Sequence, residues 1–324
     1  MMDKRRYFSR KFMNAVLTLV LVAAFNFALF RVLPGDPARL LLPKGAWQSS
    51  AIAAQRAAFH LDQPMYKQFG YYFVDTAQLQ FGDSFRFQRP VVSVVWQRVP
   101  PTLLLVGTGT VLAILIGIPT GTYAGWRREG WFDASSTTAS MVLYSMPTLW
   151  VGLLMIMIFS VHLHWFPVGR MSDPGAVYSG WFDHLKALVN HLFLPALTFA
   201  LVYIGQYHII MRTSLSGVAR EDFVLTARAK GLSDSQVLWR HVVPNALLPT
   251  TTVIMLNLGF IMSGAILTET VFNWPGIGLL SYESMMNLDY PVMQAVFLMA
   301  AAAVIIANLI ADIMYYYLDP RVRA

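Results

Sequence analysis

The side chains of this chain that could do chemistry are few, and their spacing excludes more reactions than it permits. His162 and His164 form a His-x-His pair in "SVHLHWFPVG", at the end of an apolar stretch. Neutral interfacial imidazoles describe them better than a metal site, which needs three or four converging ligands. There is no His-Glu-x-x-His pair and no serine nucleophile elbow, and cysteine is absent, which removes disulfides and thiolate metal sites. A phosphate-binding loop needs Gly-Lys followed by Ser or Thr, so that backbone amides and the lysine cradle the phosphates. Lys4, Lys11, Lys44, Lys67, Lys186 and Lys230 are the lysines, and none follows a glycine. No catalytic, metal-binding or cofactor-binding residue is assigned, and the chain is not read as an enzyme.

Four polar side chains stand in or beside apolar stretches: Asn257, Glu269 just before "NWPGIG", and Asp312 with Asn308 one turn earlier. Ionisable groups at membrane depth are costly and face protein or water. Glu269, Asn257 and Asp312 are therefore candidates for a translocation path or gate. The competing reading is an interfacial carboxylate for Glu269 and a structural hydrogen bond inside the bundle for Asp312.

The elements that must position these groups follow from composition. Of 324 residues, 56% are hydrophobic and 13% charged, about half the charged share of a soluble domain. Six apolar runs have the length a bilayer requires: Phe12–Phe30, Thr102–Tyr123, Ser140–Val161, Leu192–Met211, Ala246–Ala265 and Val292–Leu318. The expected fold class is an all-α integral membrane protein with six transmembrane helices. The first run is too long for a signal peptide, and the "RVLPGDPARL" after it lacks a small-residue cleavage site. The expected organisation is a cytoplasmic N-terminus (1–11), transmembrane helix 1 (12–30), a small extracytoplasmic cap (31–101), a five-helix core (102–318) and a cytoplasmic C-terminus (319–324). A cytoplasmic loop, 212–245, lies within the core.

Orientation comes from the short loops. With the N-terminus inside, the inner segments carry Lys4, Arg5, Arg6, Arg10, Lys11, Arg127, Arg128, Arg212, Arg220, Arg228, Lys230, Arg240, Arg321 and Arg323. The two shorter outer loops carry Arg170 and Lys186. Both termini and the 212–245 loop then face the cytoplasm. The net charge of +7 is topology, and no nucleic-acid partner is assigned.

The loop itself is patterned. In "EDFVLTARAKGLSDSQVLWRHVVPNALLP", Glu221 and Asp222 open a helix and Arg228 and Lys230 close it, which complements the macrodipole. Gly231 fits a left-handed helix end, and Ser233 with Gln236 forms a capping box for a second helix. Pro244 is expected to break that helix. Helices near ten residues are marginal alone, so they need something to pack against. Phe223 and Ala227 lie four apart on one face beside Val224, and Ala229 and Gly231 keep the tip narrow. Docking into a partner's cleft and folding back onto the chain's own helix ends both satisfy that requirement.

"TARAKGLSDSQVLWRHVVPNALLP" resembles the cytoplasmic signature loop of ABC-importer permeases, in particular the dipeptide/oligopeptide (peptide/nickel) branch. Gly231 and Pro244 match the signature Gly and Pro, and Ala227 its second Ala. Leu225 and Thr226 replace the opening Glu-Ala, and His241 and Val243 replace the aliphatic pair, as in the peptide branch. "FRVLPGDPA", "LDQPMYKQF", "FGDSFRFQRPV", "RVPPTLLL", "SMPTLWVGLL", "HLFLPALTFAL", "TETVFNWPGIGLL", "DYPVMQAV" and "NLIADIMYYYLDPRVR" extend the resemblance over nearly the whole chain.

The resemblance implies the type I ABC-importer permease fold and a machine of several parts. These are a second homologous permease, two ABC ATPase subunits that bind ATP and Mg, and an extracytoplasmic substrate-binding protein. The cargo would be a di- or oligopeptide, or else nickel, glutathione or another small solute. It implies ATPase coupling through Glu221, Asp222, Phe223, Ala227, Arg228, Ala229, Lys230, Gly231, Leu232, His241 and Pro244. Gly117, Gly121 and Gly125 recur every four residues, a small-residue ridge for helix packing or for the second permease. Trp126, Trp131, Trp165 and Trp181 read as interfacial anchors. A secondary transporter or channel that works without an ATPase is the alternative from a different class, though no internal repeat supports it.

Overall fold

In an apolar surrounding a backbone must satisfy its own N–H and C=O groups, so long apolar runs become helices. The computed structural model of the chain describes residues 4–32, 62–260 and 265–318. Among those residues it is all helix, turn and loop, apart from one isolated bridge between Asp83 and Pro90. The helices are α1 (Lys4–Val32), α2 (Met65–Ala77), α3 (Val91–Trp126), α4 (Trp131–Ser145), α5 (Thr148–Met155) and α6 (Trp181–Val218). They continue with α7 (Asp222–Ala229), α8 (Asp234–Val237), α9 (Val243–Phe260), α10 (Ile266–Val271), α11 (Ile277–Met286) and α12 (Tyr290–Leu318).

Among the described residues, four helical stretches are long and apolar enough to cross a membrane: Phe8–Phe30, Val91–Trp126, Trp181–Val218 and Tyr290–Ile310. The fifth expected run is α9 as far as Phe260; residues 261–264, the first half of the cap (33–61) and the C-terminal 319–324 lie outside the described residues. The run expected over Ser140–Val161 is not one straight helix. It is α4 followed by α5 and a wider turn, Ile156–His162, with a bend of 101° between the two halves. Pro147 causes the break: the residue before a proline is driven out of the helical region, and Met146 sits at φ −73°, ψ 132°. α3 starts at Val91, not Thr102, and its 36 residues extend about 54 Å at 1.5 Å per residue.

The described chain forms two compact units. The first takes the described residues up to Pro100, Ala265 and Ile266, and those from Gly276 onward. Its core sets Val91, Val94, Val95 and Val99 against Ile277, Leu280, Val292, Ala295 and Val296. Asp289, fully buried, ties the 84–86 turn to this core by accepting from the Ser84 hydroxyl and from the backbone N–H groups of Phe85 (3.1 Å) and Arg86 (3.3 Å). Asn26 on α1 donates to the Tyr72 hydroxyl and to the Gln294 carbonyl, both at 3.1 Å.

The second unit comprises Pro101–Ile261 and Leu267–Pro275. Its centre is the seam between α3 and α6. A Cβ on Gly117 would lie 2.9 Å from the Ile204 carbonyl and 2.9 Å from Tyr207 Cβ, and one on Gly125 would lie 2.8 Å from the Arg212 carbonyl. The small-residue ridge therefore packs on a helix of the same chain, not on a second permease, because its groove is already filled by α6.

Candidate coupling loop and buried polar network

The loop between α6 and α9 is built from local signals. Glu221 occupies the extended N-cap position of α7, with Asp222 in its first turn and Arg228 in its last. Gly231 follows at φ +79°, its N–H bonded to the Arg228 carbonyl at 2.9 Å. With no Cβ it adopts the left-handed helix end without penalty. Ser233 and Gln236 make both halves of the capping box: the Ser233 N–H donates to Gln236 Oε1 (3.0 Å), and the Gln236 N–H donates to Ser233 Oγ (3.4 Å).

Pro244 does not end the second helix. α8 passes through a wider turn, Leu238–Val242, and directly into α9. In that turn the Val243 N–H reaches back five residues to the Leu238 carbonyl. Pro244, lacking an N–H, then occupies the first turn of α9, where no donor is needed.

The packing face also differs from the expected one. Val224 and Ala227 are buried together, against Val237, Val242, Val243 and Ala246 and against Met211 and Leu215 of α6. Phe223, four residues before Ala227 and so on the same side of the helix, is 40% exposed and stays outside that cluster. Ala227 thus supports the loop from within, and Leu232 packs against the same cluster. Phe223, Leu225 (63% exposed) and Trp239 (59% exposed) are exposed around the loop, as are Glu221, Asp222, Arg228, Ala229, Lys230, Gly231 and Pro244. His241 is half-buried, its carbonyl accepting from Asn245 at 2.7 Å. Arg228 lies 3.5 Å from Asp234 and sits over the Trp126 ring, 5.6 Å from its centroid. Trp126 therefore braces the loop, whereas Trp131, Trp165 and Trp181 are exposed, as anchors in an interface would be.

Beside the loop lies a polar network that sequence reasoning missed. Arg212 on α6 donates to both carboxylate oxygens of Asp133 on α4, Nη2 to Oδ2 at 2.8 Å. Asp133 also accepts from the Glu129 N–H, at 3.1 Å. One turn back on α6 the fully buried His208 sits between Thr120 (3.1 Å) and Thr137 (3.5 Å). Arg212 was visible in the sequence as one basic residue among many; Asp133, the acid at the start of the α4 run in "REGWFDASS", was the signal for its partner.

Each of the three path candidates has partners of its own within its unit. Glu269 is fully buried, with the Thr102 hydroxyl donating to Oε1 at 2.9 Å. Asn257 donates to Tyr207 Oη (3.0 Å) and Gln206 Oε1 (3.2 Å). Asp312 pairs with Lys11 of α1 at 2.8 Å, a structural contact within the bundle. His164 Nδ1 lies 3.2 Å from its neighbour's carbonyl, that of His162. No group of three or more metal-ligating side chains converges among the described residues.

Residues 117–324 match the family described as "Binding-protein-dependent transport system inner membrane component", and residues 4–106 match its N-terminal counterpart, "Binding-prot-dependent transport system membrane comp, N-term". Among curated relatives, the chain is 32% identical to the dipeptide transport system permease protein DppB of Alkalihalophilus pseudofirmus, over 98% of this chain and 99% of that one. It is 33% identical to a probable peptide ABC transporter permease protein of Sinorhizobium fredii, over 98% and 99%. It is 36% identical to the glutathione transport system permease protein GsiC of Escherichia coli, over 98% of each. With matches that run from the first helix through the last, the chain belongs to the family of binding-protein-dependent transport system inner membrane components, the non-catalytic membrane permeases of ABC importers.

Proposed function

We propose that this chain forms half of the translocation path of an ATP-driven peptide importer and is moved by a separate ATPase through the Glu221–Pro244 loop. The observation that carries this reading is the loop's two-sidedness. Its inner side is consolidated on α6, while Phe223, Leu225 and Trp239 remain exposed among charges. Large exposed apolar groups rimmed by polar ones mark a protein-binding surface. A loop held rigidly from behind transmits a push without yielding.

In this reading the chain crosses the bacterial plasma membrane six times, with both termini and the loop inside and the 31–101 segment outside. A second homologous permease completes the path. Two ABC ATPase subunits bind ATP and Mg, this chain itself holding no cofactor, and an extracytoplasmic binding protein delivers cargo. The relatives named for dipeptides, peptides and glutathione favour a peptide-like solute. Ligand closure of the ATPase pair shifts a two-state equilibrium of the spans.

Purification followed by reconstitution tests this. The chain should co-purify with a second permease and an ATPase, and uphill uptake of a labelled dipeptide should require ATP and the receptor. Uphill uptake by the chain alone would overturn the proposal in favour of a secondary transporter. Receptor binding of a nickel chelate but of no peptide would overturn the cargo.

A further inference from the structure

Within the second unit, Leu267–Pro275 is an insert: the residues flanking it in the chain belong to the other unit. It carries four fully or almost fully buried side chains, Thr268, Glu269, Phe272 and Trp274. Its ties reach several elements. The Thr102 hydroxyl of α3 donates to Glu269, and Trp274 Nε1 donates to the Pro101 carbonyl at 2.8 Å. The Arg170 N–H donates to the Phe272 carbonyl at 2.7 Å, and the backbone of Gly169 lies directly against that carbonyl. Gly152 of α5 leaves room for Val271 and Phe272, and a Cβ there would lie 3.1 Å from Val271 Cγ1.

The loop that grips Phe272 is itself held from one side chain. His191 of α6, 4% exposed, directs Nδ1 at the carbonyls of Gly169 (3.1 Å) and Arg170 (3.2 Å). Both are acceptors, so Nδ1 carries the proton and donates. Nε2 faces the Asp173 carboxylate at 3.5 Å. His191 thus sets where the 169–173 backbone lies, and that backbone sets where Phe272 lies.

Two further features mark this contact. Thr198 on α6, fully buried and 3.6 Å from the Cβ position of Gly152, has a hydroxyl without a hydrogen-bond partner among the described residues, as does Thr270 in the insert. Buried hydroxyls ordinarily find partners. Arg170 (φ +68°) and Asn273 (φ +49°), one on each side of the contact, both adopt left-handed backbone, a conformation that non-glycine residues hold where surrounding structure enforces it and that clusters at switch segments.

We propose that Leu267–Pro275 is a movable closure of the translocation path and that His191 is the positioning residue that sets it, acting through Gly169 and Arg170. The proposal rests on the permease reading above. When the closure lifts, the ties from Arg170, Thr102 and Trp274 break, and Thr198 and Thr270 gain access to water or cargo.

The absence of cysteine makes the test direct. A Thr198→Cys substitution gives the chain one thiol, and N-ethylmaleimide labelling of this chain is followed by mass spectrometry in the reconstituted complex, with uptake measured in parallel. Val177→Cys, at a 94% exposed position, is the reactive control. Labelling at position 198 should be slow at rest and rise at least about tenfold during ATP-driven turnover, the size of a population shift of one decade. His191→Phe should raise resting labelling and lower uptake. His191→Asn, whose amide N–H stands near the place of Nδ1, should restore both. Thr268→Cys, in the insert and 2% exposed, repeats the measurement should the first variant fail to assemble.

Equal labelling at rest and in turnover, in a complex that transports, overturns the closure. Labelling and uptake unchanged by His191→Phe overturn the role of His191. A wild-type complex with no ATP-driven uptake sinks the parent function instead.

Discussion

Arg212 and Asp133, 79 residues apart in sequence, meet in a two-point ion pair that fastens α4 to α6 beside the coupling loop. The Asp133 side chain is 5% exposed and that of Arg212 26%. Such a geometry fixes orientation as well as distance, because the planar guanidinium matches the carboxylate. Removing one partner strands the other. Asp133→Ala is expected to cost about 3 kcal/mol of stability, near the lower end for a buried pair because Arg212 keeps some water. The Asp133→Ala/Arg212→Met double variant should recover part of that loss. Thermal unfolding of the detergent-solubilised protein measures both, and equal stability of wild type and Asp133→Ala would refute the assignment.

Gly231 has open space where a side chain would point, with nothing within 4 Å, so its constraint is entirely the backbone angle of +79°. Asn tolerates that region and β-branched residues do not. Gly231→Asn should transport nearly as wild type. Gly231→Val should insert and assemble, yet lose uptake while ATP hydrolysis continues. Parallel ATPase and uptake assays decide, and normal uptake by the valine variant would remove the loop's coupling role.

Glu269 is fully buried and accepts from the Thr102 hydroxyl, and two substitutions distinguish a structural carboxylate from a cargo ligand. Glu269→Gln keeps an acceptor for the Thr102 hydroxyl, so the KM for peptide uptake should stay within about twofold of wild type, since uniform binding is untouched. Glu269→Leu takes that acceptor away inside the protein and should cost about 1–3 kcal/mol. A large rise in KM for the glutamine variant, with stability unchanged, would make Glu269 a cargo contact after all.

Gly117 allows α3 and α6 to approach. Gly117→Ala places a Cβ 2.9 Å from the Ile204 carbonyl, closer than real contacts allow. The helix-propensity gain of alanine, about 1 kcal/mol at most, should be outweighed by overpacking of about 1–3 kcal/mol. A lower melting temperature is expected; a higher one would mean that the seam is looser than described.

Much of this molecule was legible in the chain. α1, α9 and α12 follow the apolar runs, α6 (Trp181–Val218) overshoots its expected Leu192–Met211 at both ends, and Glu221, Gly231, Ser233 and Gln236 occupy their expected capping positions. The misreadings have physical causes. α3 begins early because Arg98, Pro100 and Pro101 interrupt the apolar run without breaking the helix. Met146–Pro147 breaks an apolar run without interrupting its hydropathy. On α7, hydrophobicity alone ranks Phe223 above Val224, yet the buried side is Val224 with Ala227. His191 and Asp133 drew no attention because the atoms they hold lie in other elements.

The sequence by itself determined a helical membrane protein and a loop with defined caps, because hydropathy and capping act between residues close along the chain. The tertiary structure decided which polar groups are sealed in pairs, which face of the loop is left bare and which helix fills the glycine ridge. Those outcomes depend on partners tens to hundreds of residues away, and a buried charge or hydroxyl is stabilised only by whatever the fold sets against it.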